Sequence, residues 1–335
     1  MALGNQHNHL NIQDGLNAIR QKIAASLFDL NLDPAYTALL ESALSSKSSQ
    51  VGDSEQTAKP WGLFPGLCCQ AAGGQVSWAE TIAVSWLLFY AAADLMDSIQ
   101  DQDDPASWWA DRGPAVALSA STGLFFWASS LLSETAVNER TASIAPDLIN
   151  DFHHSFLQMS AGQYADLVKA QPGLDQYWQT ASAKSGSFFA RGCRSGACIA
   201  TRDHDRITAF GEFGQALGVL IQILDDLEDL HWLRDSSKVT NFDQISRSLP
   251  MVYALQVFPS SLRDQLVQAL KIAEKDPGAG QDVFDLIEQS GSVIYLLAEI
   301  EHYKSLGLEK LSMVAENGEA QDILENLVRQ LGSLN

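Results

Sequence analysis

Positive charge is scarce in this chain: 21 Lys and Arg stand against 41 Asp and Glu, for a formal net charge of −20. No basic stripe exists to pair with phosphate backbones, which argues against nucleic-acid binding and against adhesion to an anionic membrane surface. Cysteine is rarer still. Cys68, Cys69, Cys193 and Cys198 form no CxxC, so a zinc site and a disulfide framework are both disfavoured. The polar start MALGNQHNHLNIQDG has neither the basic head nor the apolar core of a secretory signal. The longest uncharged apolar run, residues 82–93, is short for a bilayer span and ends in aspartates. These absences lead to the expectation of a cytoplasmic protein without stable membrane insertion.

Strand-like alternation is also nearly missing, and a helical period of 3.6 recurs in its place. The expected fold is all-α: one large helical bundle in a single continuous domain. Residues 1–57 would supply N-terminal helices and a Ser-rich polar loop, and residues 58–335 the main body. Ser77 and Glu80 have the spacing of a capping box and predict a helix to about residue 102, stopped by Pro105. Pro114 suits the first turn of the next helix. Further helices are expected at 147–169, 175–200, 206–230, 248–257, 261–275, 282–303 and 308–331.

Against this background one concentration of charge stands out. YAAADLMDSIQDQDDP, residues 90–105, drives an apolar helix into Asp94, Asp97, Asp101, Asp103 and Asp104, with no Lys or Arg between Lys59 and Arg112. IQILDDLEDLHW, residues 221–232, repeats the pattern with Asp225, Asp226 and Asp229, and Gln222 falls on the same face. Spacings of three and four residues stack these carboxylates on one side of each helix, where like charges repel. A single acidic helix end is usually a solvated face; two that terminate buried helices are not so explained. Mg²⁺ takes one or two protein carboxylates and completes its shell with water and phosphate oxygens. The missing positive charge is therefore read as Mg²⁺ arriving with a phosphorylated ligand. An EF-hand is disfavoured, since DSIQDQDDP lacks that loop's glycine and closing glutamate.

At this point the residues resemble the trans-type polyprenyl synthases, whose fold is a large α-helical bundle with two DDxxD motifs facing a central cavity. MDSIQD (Asp97, Ser98, Asp101) resembles the first motif with Ser98 in place of its second aspartate, and QILDDLED (Gln222, Asp225, Asp226, Asp229) resembles a complete second motif. DRGP at Arg112, GQYAD at Gln163 and Asp166, KSG at Lys184, SKVTNFD at Lys238 and Asp243, and SLP at Ser248 follow in the family's order. The resemblance implies ionisation of an allylic prenyl diphosphate. Asp97, Asp101, Asp225, Asp226 and Asp229 would hold Mg²⁺, and Arg112, Lys184, Gln222 and Lys238 would bind the diphosphate. Asp97, Asp101, Asp225 and Lys184 would carry the catalysis. It also implies a homodimer.

The turns preceding Asp97 would wall the prenyl tail, with Trp86, Phe89, Tyr90 and Ala93 on or near that face and Phe188 one turn beyond Lys184. Core packing is the plainer role for such aromatics. The small Ala93 leaves the first turn open, and Phe89 or Tyr90 would floor a tail of medium length. The basic residues that the family uses for a second, homoallylic diphosphate are depleted: Asp111 replaces one arginine, and no arginine follows Lys59 in AKPWGLFPG. Each lost charge-assisted contact costs about 1.5–3 kcal/mol. Prenyl transfer, to isopentenyl diphosphate or to another acceptor, leads narrowly over a class I terpene synthase that closes the cation on its own tail. A non-catalytic partner subunit is disfavoured by the complete second motif.

Overall fold

The computed structural model of the chain describes residues 12–45, 61–101, 109–168, 172–233, 242–314, 316 and 318–332. Fifteen α-helices occur in this part: α1 (Ile12–Asp29), α2 (Pro34–Leu44), α3 (Phe64–Ala71), α4 (Glu80–Asp101), α5 (Pro114–Ser133), α6 (Ala145–Val168), α7 (Leu174–Ala181), α8 (Ser187–Ala200), α9 (His204–Trp232), α10 (Phe242–Arg247), α11 (Leu249–Val257), α12 (Ser260–Ala273), α13 (Gly280–Gln289), α14 (Ser292–Val314) and α15 (Glu319–Gln330). No strand is present among the described residues. The central helix is α9, packed along α8 and α14, while α4 packs along α5. Ile19, Ile23 and Leu40 of the N-terminal helices join the same buried cluster as Trp86, Phe89, Phe152 and Phe210.

Close approach of backbones sets the centre of the bundle. A Cβ on Gly214 would sit 2.5 Å from the Phe189 carbonyl oxygen, and one on Gly218 would sit 2.3 Å from that of Ser185. Only glycine lets α9 lie this near α8 and the turn before it. That turn, Ser182–Gly186, is a π-helical insertion between α7 and α8. It interrupts the single helix that the sequence predicts over 175–200.

Other boundaries differ for local reasons. Ser77 is not an N-cap, because Val76–Ala79 forms a 3₁₀ turn whose cap position is Gln75. Gly291, with φ of 83°, parts α13 from α14 inside the helix expected at 282–303. Gly113, also at φ of 83°, turns the chain into α5, with Pro114 at its first position as expected. Most of the Ser-rich loop lies outside the described residues.

Three stretches are long and apolar enough, by length and composition, to cross a membrane: Val76–Asp101, Pro114–Ala136 and His204–Trp232. The apolar stretch around α4 is therefore longer than residues 82–93 alone. In the fold 61% and 72% of the most apolar windows around α4 and α9 are buried, so their apolar side chains make the core; the α5 window is only 44% buried and keeps an uncovered face.

The glycine contacts give a stability test. Gly218→Ala should destabilise the protein by about 2 kcal/mol, although alanine gains about 1 kcal/mol of helix propensity, because the new methyl meets backbone. Urea unfolding measures the difference, and a neutral or stabilising result would mean that α9 and the π-turn lie further apart.

Candidate active site

The two acidic helix faces meet across one cavity of about 490 Å³. From α4 it is lined by Tyr90, Ala93, Asp94, Asp97 and Asp101; from α9 by Ile221, Gln222, Asp225, Asp226 and Asp229. The helical period accounts for both sets, since residues three and four apart fall one above another. Between these walls α6 contributes Met159, Gln163 and Asp166, the π-turn contributes Lys184 and Ser185, and Arg247 ends α10 at the rim.

Ser98 does not line the cavity. One residue on from Asp97, its hydroxyl points elsewhere and accepts a hydrogen bond of 3.0 Å from the Trp109 indole N–H. Replacement of an aspartate at this position thus removes no carboxylate from the cavity wall.

Lys184 crosses to the α4 side. Its ammonium donates to both carboxylate oxygens of Asp97, at 2.8 and 3.0 Å. Burial alone would drive this amine toward neutrality, but Asp97, with Asp166 and Asp101 beyond it, reverses the effect and raises its pKa. Lys184 is a fixed cation. The π-turn presents it here by adding one residue to the helix.

Asp226, expected as a metal ligand, also has a structural role. Its Oδ2 accepts from the Tyr177 hydroxyl at 2.7 Å and from the Leu249 backbone N–H at 2.7 Å, and its Oδ1 accepts from the Gln222 amide at 3.4 Å. Leu249 is the first residue of α11, whose cap residue Ser248 makes no side-chain cap bond. Asp226 therefore supplies from α9 the acceptor that the start of α11 lacks. Burial pushes its carboxyl from 3.8 up to about 7 against the pull of these donors. With both oxygens engaged and 5% of the residue exposed, it is held as a structural member of the cavity wall. Gln222 is similarly occupied, since its carbonyl accepts from Ser185 Oγ at 2.9 Å; it reaches the cavity as part of this chain of hydrogen bonds.

Further corrections concern the expected tail wall and the cations. Trp86 and Phe89 do not line the cavity. Trp86 is fully buried, stacks on Phe188 at 4.8 Å and donates its indole N–H to the Phe188 carbonyl; Phe89 packs among Phe125, Phe152 and Phe156. Tyr90, Ala93 and Phe188 do line it, joined by Phe125, Phe189 and Met159, which no sequence motif marks. Arg112 is exposed and outside the cavity, with its guanidinium 3.4 Å from Ser42 Oγ. Lys59 and Lys238 lie outside the described residues, and nothing is said of the Asp243 side chain.

The donors suit a hard divalent cation, being carboxylate oxygens from two facing helices. No group of three or more His, Cys, Asp or Glu converges on one metal position among the described residues. That agrees with an ion that takes one or two carboxylates and fills its shell from phosphate and water. Gln163 points the same way. Both polar atoms of its amide are buried on the cavity wall with no hydrogen-bond partner, an arrangement that a polar ligand would relieve.

Comparison with known proteins agrees with this geometry. Residues 64–287 match the family model described as polyprenyl synthetase, which is more than half of the chain. A decaprenyl-diphosphate synthase of Dictyostelium discoideum is 24% identical over 79% of this chain and 56% of its own length. A geranylgeranyl diphosphate synthase of Mycobacterium tuberculosis is 28% identical over 47% of this chain and 46% of its own. The chain thus spans about half the length of these curated relatives. Among solved structures, the polyprenyl synthetase of Streptomyces coelicolor A3(2) superposes with a TM-score of 0.78 at 20% identity, covering 95% of this chain and 98% of that one. The polyprenyl synthase of Caulobacter crescentus, complexed with calcium and isoprenyl diphosphate, gives 0.77 at 18% identity, covering 96% and 97%. The fold is the all-α isoprenoid synthase fold. The chain belongs to the polyprenyl synthetase family.

Asp226 gives the next test. Asp226→Ala leaves two buried donors without an acceptor and should cost about 3 kcal/mol in urea unfolding, while Asp226→Asn, which keeps an acceptor oxygen, should cost about 1 kcal/mol. Because the fold raises this pKa, its contribution is complete below the unfolded value and is lost as pH rises through about 7. From about pH 5 to about pH 8 the wild type should therefore lose stability relative to Asp226→Asn, which does not titrate. A gap independent of pH would show that Asp226 is ionised throughout.

Proposed function

We propose that this protein is a Mg²⁺-dependent prenyltransferase that ionises an allylic prenyl diphosphate and passes the prenyl cation to an acceptor double bond. The observation that carries this reading is the convergence of Asp97, Asp101, Asp225, Asp229 and Lys184 on one end of a cavity whose other surfaces include Tyr90, Phe125, Met159 and Phe188. In the reaction the allylic C–O bond breaks with both electrons leaving on pyrophosphate. The acceptor double bond then forms a C–C bond to the cation, and a proton is lost. Mg²⁺ ions, each held by one or two of these aspartates, would supply Lewis-acid neutralisation of the charge that grows on the leaving group.

The chain's own groups account for the rest. Lys184 places a permanent positive charge where the diphosphate leaves. Ser185, Gln222, Asp226 and Tyr177 form a hydrogen-bonded chain that fixes the orientation of the α9 wall. The apolar surfaces hold the tail and keep water from quenching the cation. The complex of the Caulobacter crescentus synthase with calcium and isoprenyl diphosphate supports the pairing of divalent ion and ligand.

A second reading, cyclisation without an acceptor, is favoured by the position of Arg112. With its guanidinium beside Ser42, Lys184 and Arg247 are the only basic side chains that line the cavity among the described residues. Incubation with Mg²⁺ and geranyl, farnesyl or geranylgeranyl diphosphate, with and without isopentenyl diphosphate, separates the two. Prenyl transfer predicts longer diphosphates only when the acceptor is present, and Asp97→Asn or Asp225→Asn should lower turnover by at least about 100-fold. Hydrocarbon or terpene alcohol without acceptor supports cyclisation. No release of pyrophosphate in any mixture would defeat both.

We further propose a homodimer formed through the uncovered face of α5 together with α6. Phe126 on α5 is 72% exposed and Leu157 on α6 is 68% exposed. Large exposed apolar residues of this kind mark contact surfaces. Sedimentation should find a dimer that Phe126→Asp combined with Leu157→Asp converts to monomer; a monomeric wild type would contradict it. The proposed setting is the cytoplasm.

A further inference from the structure

Seven carboxylates and two basic side chains line the cavity among the described residues. Where the two cations sit is informative. Lys184 is bound to Asp97, and Arg247 is placed between Asp101 and Asp166. Its Nη2 lies 3.5 Å from Asp101 Oδ1, and its Nη1 lies 3.5 Å from Asp166 Oδ2 while donating to the Asp166 carbonyl at 2.9 Å. The side chains of Arg247 and Asp101 are only 11% and 3% exposed. Arg247 thus joins three separate elements, α10, α4 and α6, at the rim. At 3.5 Å the Arg247–Asp101 contact is longer than a strong charge-assisted hydrogen bond, yet its burial means that removal of one partner leaves a costly lone charge.

Each carboxylate of the first motif that faces the cavity is therefore held by a cation from another wall, Asp97 by Lys184 and Asp101 by Arg247. These carboxylates cannot turn fully toward a metal while they remain so paired. If the pairs open, two cations are released beside the place where a diphosphate would lie. The guanidinium is the better suited of the two, since its planar fork matches two phosphate oxygens at once.

We propose that Arg247 is a diphosphate-binding residue of this site and that it acts by exchange: it guards Asp101 from metal alone and moves to phosphate oxygens when metal and diphosphate bind together. The cavity would then discriminate against Mg²⁺ or pyrophosphate offered singly and favour the pair. This rests on the reading of the cavity as a metal–diphosphate site.

The exchange has a signature of opposite signs that a merely structural arginine would not produce. Calorimetric titration of the full chain with Mg²⁺ alone, and with inorganic pyrophosphate in the presence of Mg²⁺, measures both halves. Arg247→Gln should bind Mg²⁺ alone about 5-fold more tightly, because Asp101 loses its competitor. The same variant should bind pyrophosphate with Mg²⁺ about 10-fold or more weakly, for loss of a charge-assisted contact. Arg247→Lys should bind pyrophosphate more tightly than Arg247→Gln and less tightly than wild type. Asp166→Asn, which loosens Arg247 from α6 and leaves Asp101 in place, should retain pyrophosphate binding with Mg²⁺ and so covers the case in which Arg247→Gln does not fold. Pyrophosphate affinity unchanged in Arg247→Gln, or Mg²⁺ affinity unchanged or weakened, would overturn the exchange while leaving the proposed function standing. Loss of pyrophosphate binding in Asp166→Asn would also overturn it, by making the α6 contact the essential one. A wild type that binds no pyrophosphate with Mg²⁺ would instead defeat the reading of the cavity itself.

Discussion

The face-to-face setting of carboxylates on α4 and α9 is the constraint on which the rest depends. Like charges in a partly buried cavity raise the energy of the fold, and burial makes the cost larger than in water. The structure offsets it in several ways. Lys184 and Arg247 neutralise Asp97 and Asp101 from other walls. Asp226 is raised toward neutrality by burial and turned to a structural purpose, as acceptor for Tyr177 and for the start of α11. The proposed metal would add an external cation to these internal ones. The same arrangement that costs stability is what fits the cavity to a metal and a phosphorylated ligand.

The helices that bear the aspartates are held in place by two kinds of packing. Along α9, Gly214 and Gly218 let the backbone approach α8 and the π-turn that carries Lys184, so the cation is positioned by contacts that no side chain could replace. Along α4, Trp86 and Phe89 lie behind the wall rather than in it. Trp86 ties α4 to α8 through the Phe188 carbonyl, and Phe89 anchors α4 on the aromatic cluster of α6. The inner surface is left to Tyr90, Ala93, Phe125 and Phe188. Since Tyr90 is the largest α4 side chain there, it is the residue through which α4 would limit tail length.

How much of this the sequence disclosed follows from its periodicity. Asp94, Asp97 and Asp101 were legible as one face because a helix repeats every 3.6 residues, and Asp225 and Asp229 likewise. The same arithmetic fails one step away. Trp86 and Tyr90 are four apart and nominally aligned, yet only Tyr90 meets the cavity, since the neighbouring α8 covers the deeper turn. The π-turn at Lys184 has no signature in SAKSG that separates it from ordinary helix. Asp226 reads as a third motif carboxylate until Leu249 and Tyr177, distant in sequence, are brought against it. Arg247 belongs to none of the motifs singled out in the sequence, because its partners lie on α4 and α6 and meet it only in the fold. Glycine breaks at Gly113 and Gly291 depend on positive φ, which composition only hints at.

In the proposed function the two acidic helices share one metal–diphosphate ligand. The most direct test of that sharing is a crystal structure of the protein with Mn²⁺ in place of Mg²⁺ and inorganic pyrophosphate, with the ions located by anomalous scattering. Ions are expected within coordination distance of Asp97 or Asp101 on one side and of Asp225 or Asp229 on the other, all bridged by the same pyrophosphate. Ions on a single helix with no shared phosphate, or a pyrophosphate seated elsewhere, would contradict it.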